Sequence, residues 1–323
     1  MLSEFDIIQR YFNRPAPGAV LGIGDDAALV EPSAGMELAV STDMLVSGQH
    51  FFADAEPGGL GHKSLAVNLS DMAAMGARPR WATLSLALPA SMARENEKWL
   101  EAFSEGFFKL ANAYQVELIG GDTTRGPLNI CVTIIGEVAK GNALRRRGAR
   151  SGDDIWISGH LGDAALALAH QQNHIVLEAG EIEACLPALN TPTPRVGLGQ
   201  RLVGLAHSAI DISDGLLADL GHILECSKAS GIISMHEIKC SAPLKKRLPH
   251  PLALKCLLAG GDDYELCFTA SRSDRPKIEA LSRELALPLT RIGKIGKGNG
   301  LVVHDAAGET VTLDTRGYDH FLT

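Results

Sequence analysis

The chain has 323 residues, 46% of them hydrophobic and 21% charged, with a formal charge of −8. That length allows two domains, each able to bury its own core, and the composition excludes a disordered chain. The acidic balance argues against a general nucleic-acid binder, which carries a basic face, but leaves room for a phosphorylated substrate whose charge is met by metal ions.

Residues 3–12 predict a short amphipathic helix, with Phe5, Ile8 and Phe12 near helical spacing and Pro15 and Pro17 ending it. Gly22-Ile23-Gly24-Asp25-Asp26 follows, and Leu38-Ala39-Val40 reads as a buried strand leading into Ser41-Thr42-Asp43. No Lys or Arg stands between Gly22 and Asp43, although Asp25, Asp26 and Asp43 lie in that stretch. Carboxylates without basic partners repel one another, and a hard divalent cation with oxygen ligands relieves this. The plainer alternative is a turn at Gly-Asp-Asp and an exposed loop or helix cap at Ser-Thr-Asp.

Gly61 to Gly76 predicts a helix that is apolar nearly all round and therefore buried, except that Ser64, Asn68 and Asp71 form one polar stripe at i, i+4 and i+7. Asp71 there reads either as a local cap or as a metal ligand. Trp81–Leu88 reads as a strand and Glu95–Tyr114 as an amphipathic helix. Residues 116–119 predict a strand ending in Gly120-Gly121-Asp122-Thr123-Thr124-Arg125, where two glycines permit close backbone approach to a ligand and Asp122 and Thr123 offer oxygens. Leu128–Val138 is the next strand. The polar run Arg145-Arg146-Arg147-Gly148-Ala149-Arg150 marks a domain junction, placing one domain at residues 1–140 and a second at 149–323. Its basic side chains are either a solvated linker or a nucleotide-phosphate contact.

Beyond it come a strand at 155–157, Gly159-His160-Leu161-Gly162-Asp163 opening an alanine-rich helix, and a loop with Pro187, Pro192 and Pro194. Ala209-Ile210-Asp211-Ile212-Ser213-Asp214-Gly215 precedes a helix from Leu216 to about Ser227, and loosely echoes the Val40–Asp43 stretch. Gly260-Gly261-Asp262-Asp263-Tyr264-Glu265-Leu266 again sets glycines before acids and leads into a strand. Residues 276–286 predict a charged helix, and Gly296-Lys297-Gly298-Asn299-Gly300 a hairpin turn before a strand at 301–303. Strands alternating with long helices predict an α/β or α+β fold.

No run reaches the about 18 apolar residues of a membrane span, and the acidic N-terminal sequence carries no signal-peptide pattern. The six scattered cysteines, with no C-x-x-C pair, fit reduced core thiols in a cytoplasmic protein. Gly59-Leu60-Gly61-His62-Lys63-Ser64 fails as a Walker loop because His62 replaces its last glycine. Nucleophile elbow, H-E-x-x-H and protein-kinase signatures are absent from the sequence.

Set in order, residues 22–28 (Gly-Ile-Gly-Asp-Asp-Ala-Ala), 41–51, 68–79 (Asn-Leu-Ser-Asp-Met-Ala-Ala-Met-Gly-Ala-Arg-Pro), 120–125, 211–215, 260–266 and 317–321 closely resemble the thiamine-monophosphate kinase family. This family lies within the aminoimidazole ribonucleotide synthetase-like superfamily. Two other branches are disfavoured. Selenophosphate synthetase carries a reactive Cys or selenocysteine near its N-terminus, and a hydrogenase maturation factor ends in Cys, whereas the first cysteine here is Cys131 and the last residue Thr323.

The resemblance implies an N-terminal α/β domain whose sheet forms a barrel across a homodimer, and a C-terminal α/β domain completing a cleft for ATP and substrate. It further implies transfer of the γ-phosphate of ATP to thiamine monophosphate with several Mg²⁺ ions. Residue by residue, it makes Asp25, Ser41, Thr42, Asp43, Asp71, Asp122, Asp211 and Asp214 metal ligands. Gly121, Asp122, Arg146 and Ser213 become ATP contacts, and His50, Asp262 and Tyr318 substrate contacts. Asp262 stands where the family more often has Glu, and the ATP-contacting arginine is one of Arg145–Arg147.

Read from the residues alone, His50 is either a packed core histidine beside Phe51 and Phe52 or a substrate contact. Tyr318 is likewise either packing or a ring stacked on a heterocycle. Two further functions stay open at this level: an ATP-dependent synthetase of the aminoimidazole ribonucleotide type, and a nucleotide-binding dimer without turnover.

Overall fold

The computed structural model describes residues 3–90, 92, 97–314 and 317–318, and the chain forms two compact units. The first comprises residues 1–72 and 77–141, and the second residues 73–76 and 142–323.

In the first unit, α1 (Glu4–Ile7) runs into a π-helical turn at Ile8–Phe12, closed by the Asn13 N–H on the Ile8 carbonyl at 2.8 Å. The wider turn shifts the helical phase. Ile7, Tyr11 and Phe12 are buried, while Phe5, expected on the inner face, is 77% exposed. Four strands then form one sheet: β1 (Met36–Val46), β2 (Arg78–Leu88), β3 (Glu117–Arg125) and β4 (Asn129–Ala139), in the order β1-β4-β2-β3. Only β2 and β3 pair in parallel, as the intervening α3 (Glu97–Tyr114) requires; Glu95 of the expected helix lies outside the described residues.

The helix α2 (Pro57–Ala74) begins four residues before the expected Gly61. Its glycines explain the failed Walker pattern. A Cβ on Gly61 would sit 2.0 Å from the Phe103 carbonyl oxygen, and one on Gly106 1.9 Å from that of Gly58. Glycine here lets α2 and α3 touch backbone to backbone. The core beneath holds Leu65, Leu69 and Met72 of α2, Phe103 and Phe107 of α3, and Trp81, Leu86, Ile130 and Ile134 of the sheet. Fully burying each such side chain is worth about 1.5–3 kcal/mol.

The strand β1 departs from expectation. It is an edge strand, and Met36, Leu38, Val40 and Met44 are exposed along one face, so it is not a buried strand. Ser41-Thr42-Asp43 lies in mid-strand, paired with Ile134, Thr133 and Val132, and not in a loop or cap. Gly120–Arg125 likewise continues β3 and does not follow it as a loop.

In the second unit, β5 (Asp154–Ser158), β6 (Ala206–Ile212), β7 (Ser230–Ser234), β8 (Glu265–Ala270), β9 (Leu289–Gly296) and β10 (Gly300–His304) form a sheet in the order β10-β7-β9-β5-β8-β6. Among the described residues, seven α-helices accompany it: α4 (Asp163–Gln171), α5 (Ala179–Asn190), α6 (Val196–Leu202), α7 (Leu216–Ser227), α8 (Ala242–Arg247), α9 (Pro251–Ala259) and, after β8, α10 (Arg275–Glu284). The core joins Ile155 and Ile157 of β5 to Leu166 of α4, Leu220 and Ile223 of α7, and Leu257 of α9.

Two expectations fail here. Pro187 lies inside the last turns of α5, not in a loop. The glycine-rich 296–300 segment is no hairpin turn, because β9 and β10 flank β7 on opposite sides. Ser230 pairs with Gly296 on one side and Gly300 on the other, and its hydroxyl donates to the Lys297 carbonyl of the crossing segment at 2.9 Å.

Candidate active site

In the first unit, alternation along β1 sorts the predicted ligands. Ala39 and Leu45 are buried, so Ser41 and Asp43 share their helix-facing side, and the Ser41 hydroxyl donates to Asp71 Oδ2 of α2 at 2.5 Å. Thr42 points the other way and shares a hydrogen bond with the Thr133 hydroxyl at 2.8 Å. The three side chains therefore do not converge, and Thr42 could join Ser41 and Asp43 in one site only through its carbonyl oxygen.

The polar stripe of α2 divides similarly. Ser64 and Asn68 donate to the Gly61 and Ser64 carbonyls of their own helix, while Asp71 alone reaches β1. Asp25 is exposed in a turn stapled by the Leu29 N–H on the Leu21 carbonyl at 2.9 Å. Asp122 is exposed on β3. Gly121 has φ +151, and a Cβ there would meet the Leu84 carbonyl oxygen at 1.9 Å, so the neighbouring strand demands this glycine. His50 accepts the Val46 N–H on Nδ1 at 3.0 Å, which leaves the proton of a neutral ring on Nε2.

In the second unit, Asp211 closes β6 as a buried carboxylate, and Ser213-Asp214-Gly215 turns the chain into α7. That turn collects the other predicted residues. The Asp262 N–H donates to the Ser213 carbonyl at 2.9 Å, and the Tyr318 N–H to the Asp214 carbonyl at 3.1 Å. Asp262 and Tyr264 have φ of +69 and +48, uncommon for residues with a side chain, and the Tyr264 hydroxyl donates to Asp262 Oδ1 at 2.9 Å. Tyr318 is 42% exposed; Asp319, His320 and Phe321 lie outside the described residues.

Asp219 went unnoticed in the sequence. It is 3% exposed, and its Oδ2 accepts the N–H groups of Ser213, Asp214 and Gly215, each at 3.1 Å. Burial first, then the charges of Asp211 and Asp214, push its pKa up to about 7 against the pull of the turn N–H groups. The spacing Asp214-x-x-x-x-Asp219 was the available signal, an acid placed in the first turn of a helix just after a carboxylate-bearing turn.

The backbone of the 145–149 segment is held by hydrogen bonds. The Arg145 carbonyl accepts the Ala209 N–H along the open edge of β6, and the Ser227 hydroxyl bonds the Gly148 and Ala149 N–H groups at 3.1 Å. The three arginine side chains stay exposed. Among the cysteines, only Cys185, Cys256 and Cys267 are buried. Burial pushes Cys185 and Cys256 up to about 12, whereas Cys226 is exposed and does not fit the core-thiol reading.

A separate cavity of about 270 Å³ lies at Gly159, Asp163, Arg195, Asp263 and Glu265, and no predicted site residue lines it. Its walls are largely satisfied: Arg195 Nε donates to Glu265 Oε2 at 2.7 Å, and Asp263 accepts the Gly162 N–H at 2.8 Å. Among the described residues, no helix is long and apolar enough to cross a membrane.

Residues 24–138 match the family model described as AIR synthase related protein, N-terminal domain. The chain is 45% identical to thiamine-monophosphate kinase of Escherichia coli K12 over 324 residues, covering 99% of this chain and 98% of that one. It belongs to the thiamine-monophosphate kinase family. The solved thiamine-monophosphate kinase of Stenotrophomonas maltophilia K279a superposes with a TM-score of 0.83 at 49% identity, covering 94% of this chain and 95% of that one. AaThiL complexed with AMPPCP and TMP superposes with a TM-score of 0.78 at 29% identity, over 98% of this chain and 96% of that one.

Proposed function

We propose that this member of the family transfers the γ-phosphoryl group of ATP to the phosphate of thiamine monophosphate, releasing thiamine diphosphate and ADP. The observation that carries the reading is the 45% identity, over nearly the whole of both chains, to a thiamine-monophosphate kinase. The AaThiL complex adds an ATP analogue and TMP held together on the same fold.

The chemistry suits the residues. An acceptor oxygen of the phosphate monoester forms a bond to the γ-phosphorus as the bond to the β–γ bridging oxygen breaks, and ADP departs with that electron pair. A monoester with a second pKa of about 6 is largely dianionic at neutral pH, so no side chain need act as general base. Phosphoryl transfer asks chiefly for alignment and charge neutralisation. A site built from carboxylates, hydroxyls and backbone groups, without a nucleophile–histidine pair, answers that need.

The ligand set in this reading is Asp25, Ser41, Thr42, Asp43, Asp71, Asp122, Asp211 and Asp214, with Thr42 acting through its carbonyl. Every donor is oxygen, as Mg²⁺ prefers. Among the described residues no three His, Cys, Asp or Glu side chains converge to hold an ion by themselves. That fits Mg²⁺, which is commonly held by one or two carboxylates plus substrate phosphates. Bound Mg²⁺ would supply the positive charge that lets two polyanions approach.

The chain's own residues then do the orienting. Gly121, Asp122, Arg146 and Ser213 take the nucleotide; His50, Asp262 and Tyr318 take the thiamine phosphate, with Asp262 braced by Tyr264. The exposed apolar face of the edge strand β1 supports a homodimer built on the first unit, and the six free cysteines support a cytoplasmic setting. Incubating purified protein with Mg-ATP and thiamine monophosphate should yield thiamine diphosphate and ADP in equal amounts by chromatography. Intact ATP binding without thiamine diphosphate would overturn the reading.

A further inference from the structure

The Ser213–Gly215 turn has its two polar faces assigned to different tasks. Its N–H groups point inward, and all three converge on Oδ2 of one buried side chain, Asp219, at 3.1 Å each. Two of its carbonyls receive other segments: Ser213 the Asp262 N–H at 2.9 Å and Asp214 the Tyr318 N–H at 3.1 Å, while that of Gly215 accepts the Asp219 N–H at 3.0 Å. A glycine precedes each incoming residue. A Cβ on Gly261 would lie 2.5 Å from the Ser213 carbonyl oxygen, and one on Gly317 2.9 Å from that of Asp214. Both segments therefore approach the turn as closely as backbone allows. The turn is itself seated on the end of α9, since a Cβ on Gly215 would meet the Ala259 backbone at 2.7 Å.

We infer that Asp219 is a positioning residue for both substrates: by gathering the three N–H groups it sets the place of Ser213 and Asp214 toward the nucleotide, and through the carbonyls of the same turn it sets Asp262 and Tyr318 toward the phosphate acceptor. This rests on the function proposed above. Asp219 touches neither substrate. What matters is where its oxygen lies, because three donors fixed on one acceptor leave the turn a single arrangement. An oxygen moved by one methylene, roughly 1.5 Å, must drag the turn with it or abandon the bonds.

The test is a pair of substitutions that separate position from charge. Asp219→Asn keeps an acceptor oxygen in place and removes the charge; Asp219→Glu keeps the charge and displaces the oxygen. Steady-state kinetics should give Asp219→Glu KM values for both ATP and thiamine monophosphate raised together by about ten-fold or more, as misplacements of about 1 Å cost up to 10²-fold. Asp219→Asn should recover most of that loss, with both KM values within a few-fold of wild type. Tyr264→Phe, which removes the hydroxyl that braces Asp262, should raise the KM for thiamine monophosphate and leave that for ATP unchanged.

Three results would overturn the inference. These are unchanged KM values in a folded Asp219→Glu protein, Asp219→Asn as impaired as Asp219→Glu, or a rise confined to one substrate. If Asp219→Glu does not fold, Asp219→Ser, whose hydroxyl cannot reach all three donors, is held to the same criteria; failure of both to fold would make Asp219 a folding residue only. Should the wild-type protein make no thiamine diphosphate, the functional reading falls by itself. Calorimetric binding of AMPPCP with Mg²⁺ to the same variants then reads the nucleotide half of the inference, with affinity lost in Asp219→Glu and kept in Asp219→Asn.

Discussion

Glu181 shows how a single carboxylate can tie helices of the second unit together. It is nearly buried on α5, receives the Glu178 N–H at 2.9 Å, and pairs with Arg247 and with Lys246, the latter at 3.0 Å. The Glu178 N–H first, then Arg247 and Lys246, hold its pKa down to about 2, against about 4.5 for an ordinary glutamate. A folded-state pKa below the unfolded one stabilises the fold above the unfolded value, and that contribution disappears as pH falls through the folded value. The melting temperature of Glu181→Gln should therefore trail wild type by its widest margin near neutrality. The gap should close progressively between about pH 4.5 and pH 2. Thermal melts across that range check this; a gap independent of pH would mean that shape, not charge, holds the site.

At the scale of elements, α2 and α3 meet at glycines, and two effects of adding a methyl group there oppose each other. Alanine favours an isolated helix over glycine by about 1 kcal/mol, yet overpacking a close contact costs about 1–3 kcal/mol. With the Gly106 Cβ only 1.9 Å from a carbonyl oxygen, the clash wins, and Gly106→Ala should lower the melting temperature by several degrees. Gly197→Ala on α6, where nothing lies within 4 Å, should leave it unchanged or raise it slightly.

These glycines also mark the limit of what could be read in advance. The alternation of strands and helices, the apolar α2 and the turn before α7 were legible, because periodicity and turn chemistry are local. The π-turn at Ile8–Phe12, the glycine contact of α2 with α3, and the passage of β10 to the far side of β7 were not, since each is decided by a neighbour distant in sequence. The site divides likewise. Asp43 stood out in a stretch without basic residues, Asp71 as an acid on an apolar helix, and Asp211 and Asp214 as acids between a strand and a helix. Asp219 did not, because its partners are backbone N–H groups that any sequence supplies.

For the whole molecule, the proposed homodimer rests on β1. Val40 is 61% exposed on an edge strand beside Met36, Leu38 and Met44, an apolar face that a monomer would have to leave in water. Light scattering should give the mass of a dimer for wild type, and Val40→Lys should shift it towards the monomer; a monomeric wild type would refute the proposed homodimer. The same strand turns Ser41 and Asp43 toward α2 and Thr42 toward Thr133. Its odd-numbered residues thus serve the chemistry proposed for the site, and its even-numbered residues the proposed partner surface. Because side chains alternate, a slip of one residue against β4 would exchange the two sets, turning methionines toward the phosphates and carboxylates toward the partner. A chain built this way can drift at individual positions of β1, but it cannot gain or lose one residue there without forfeiting both roles together.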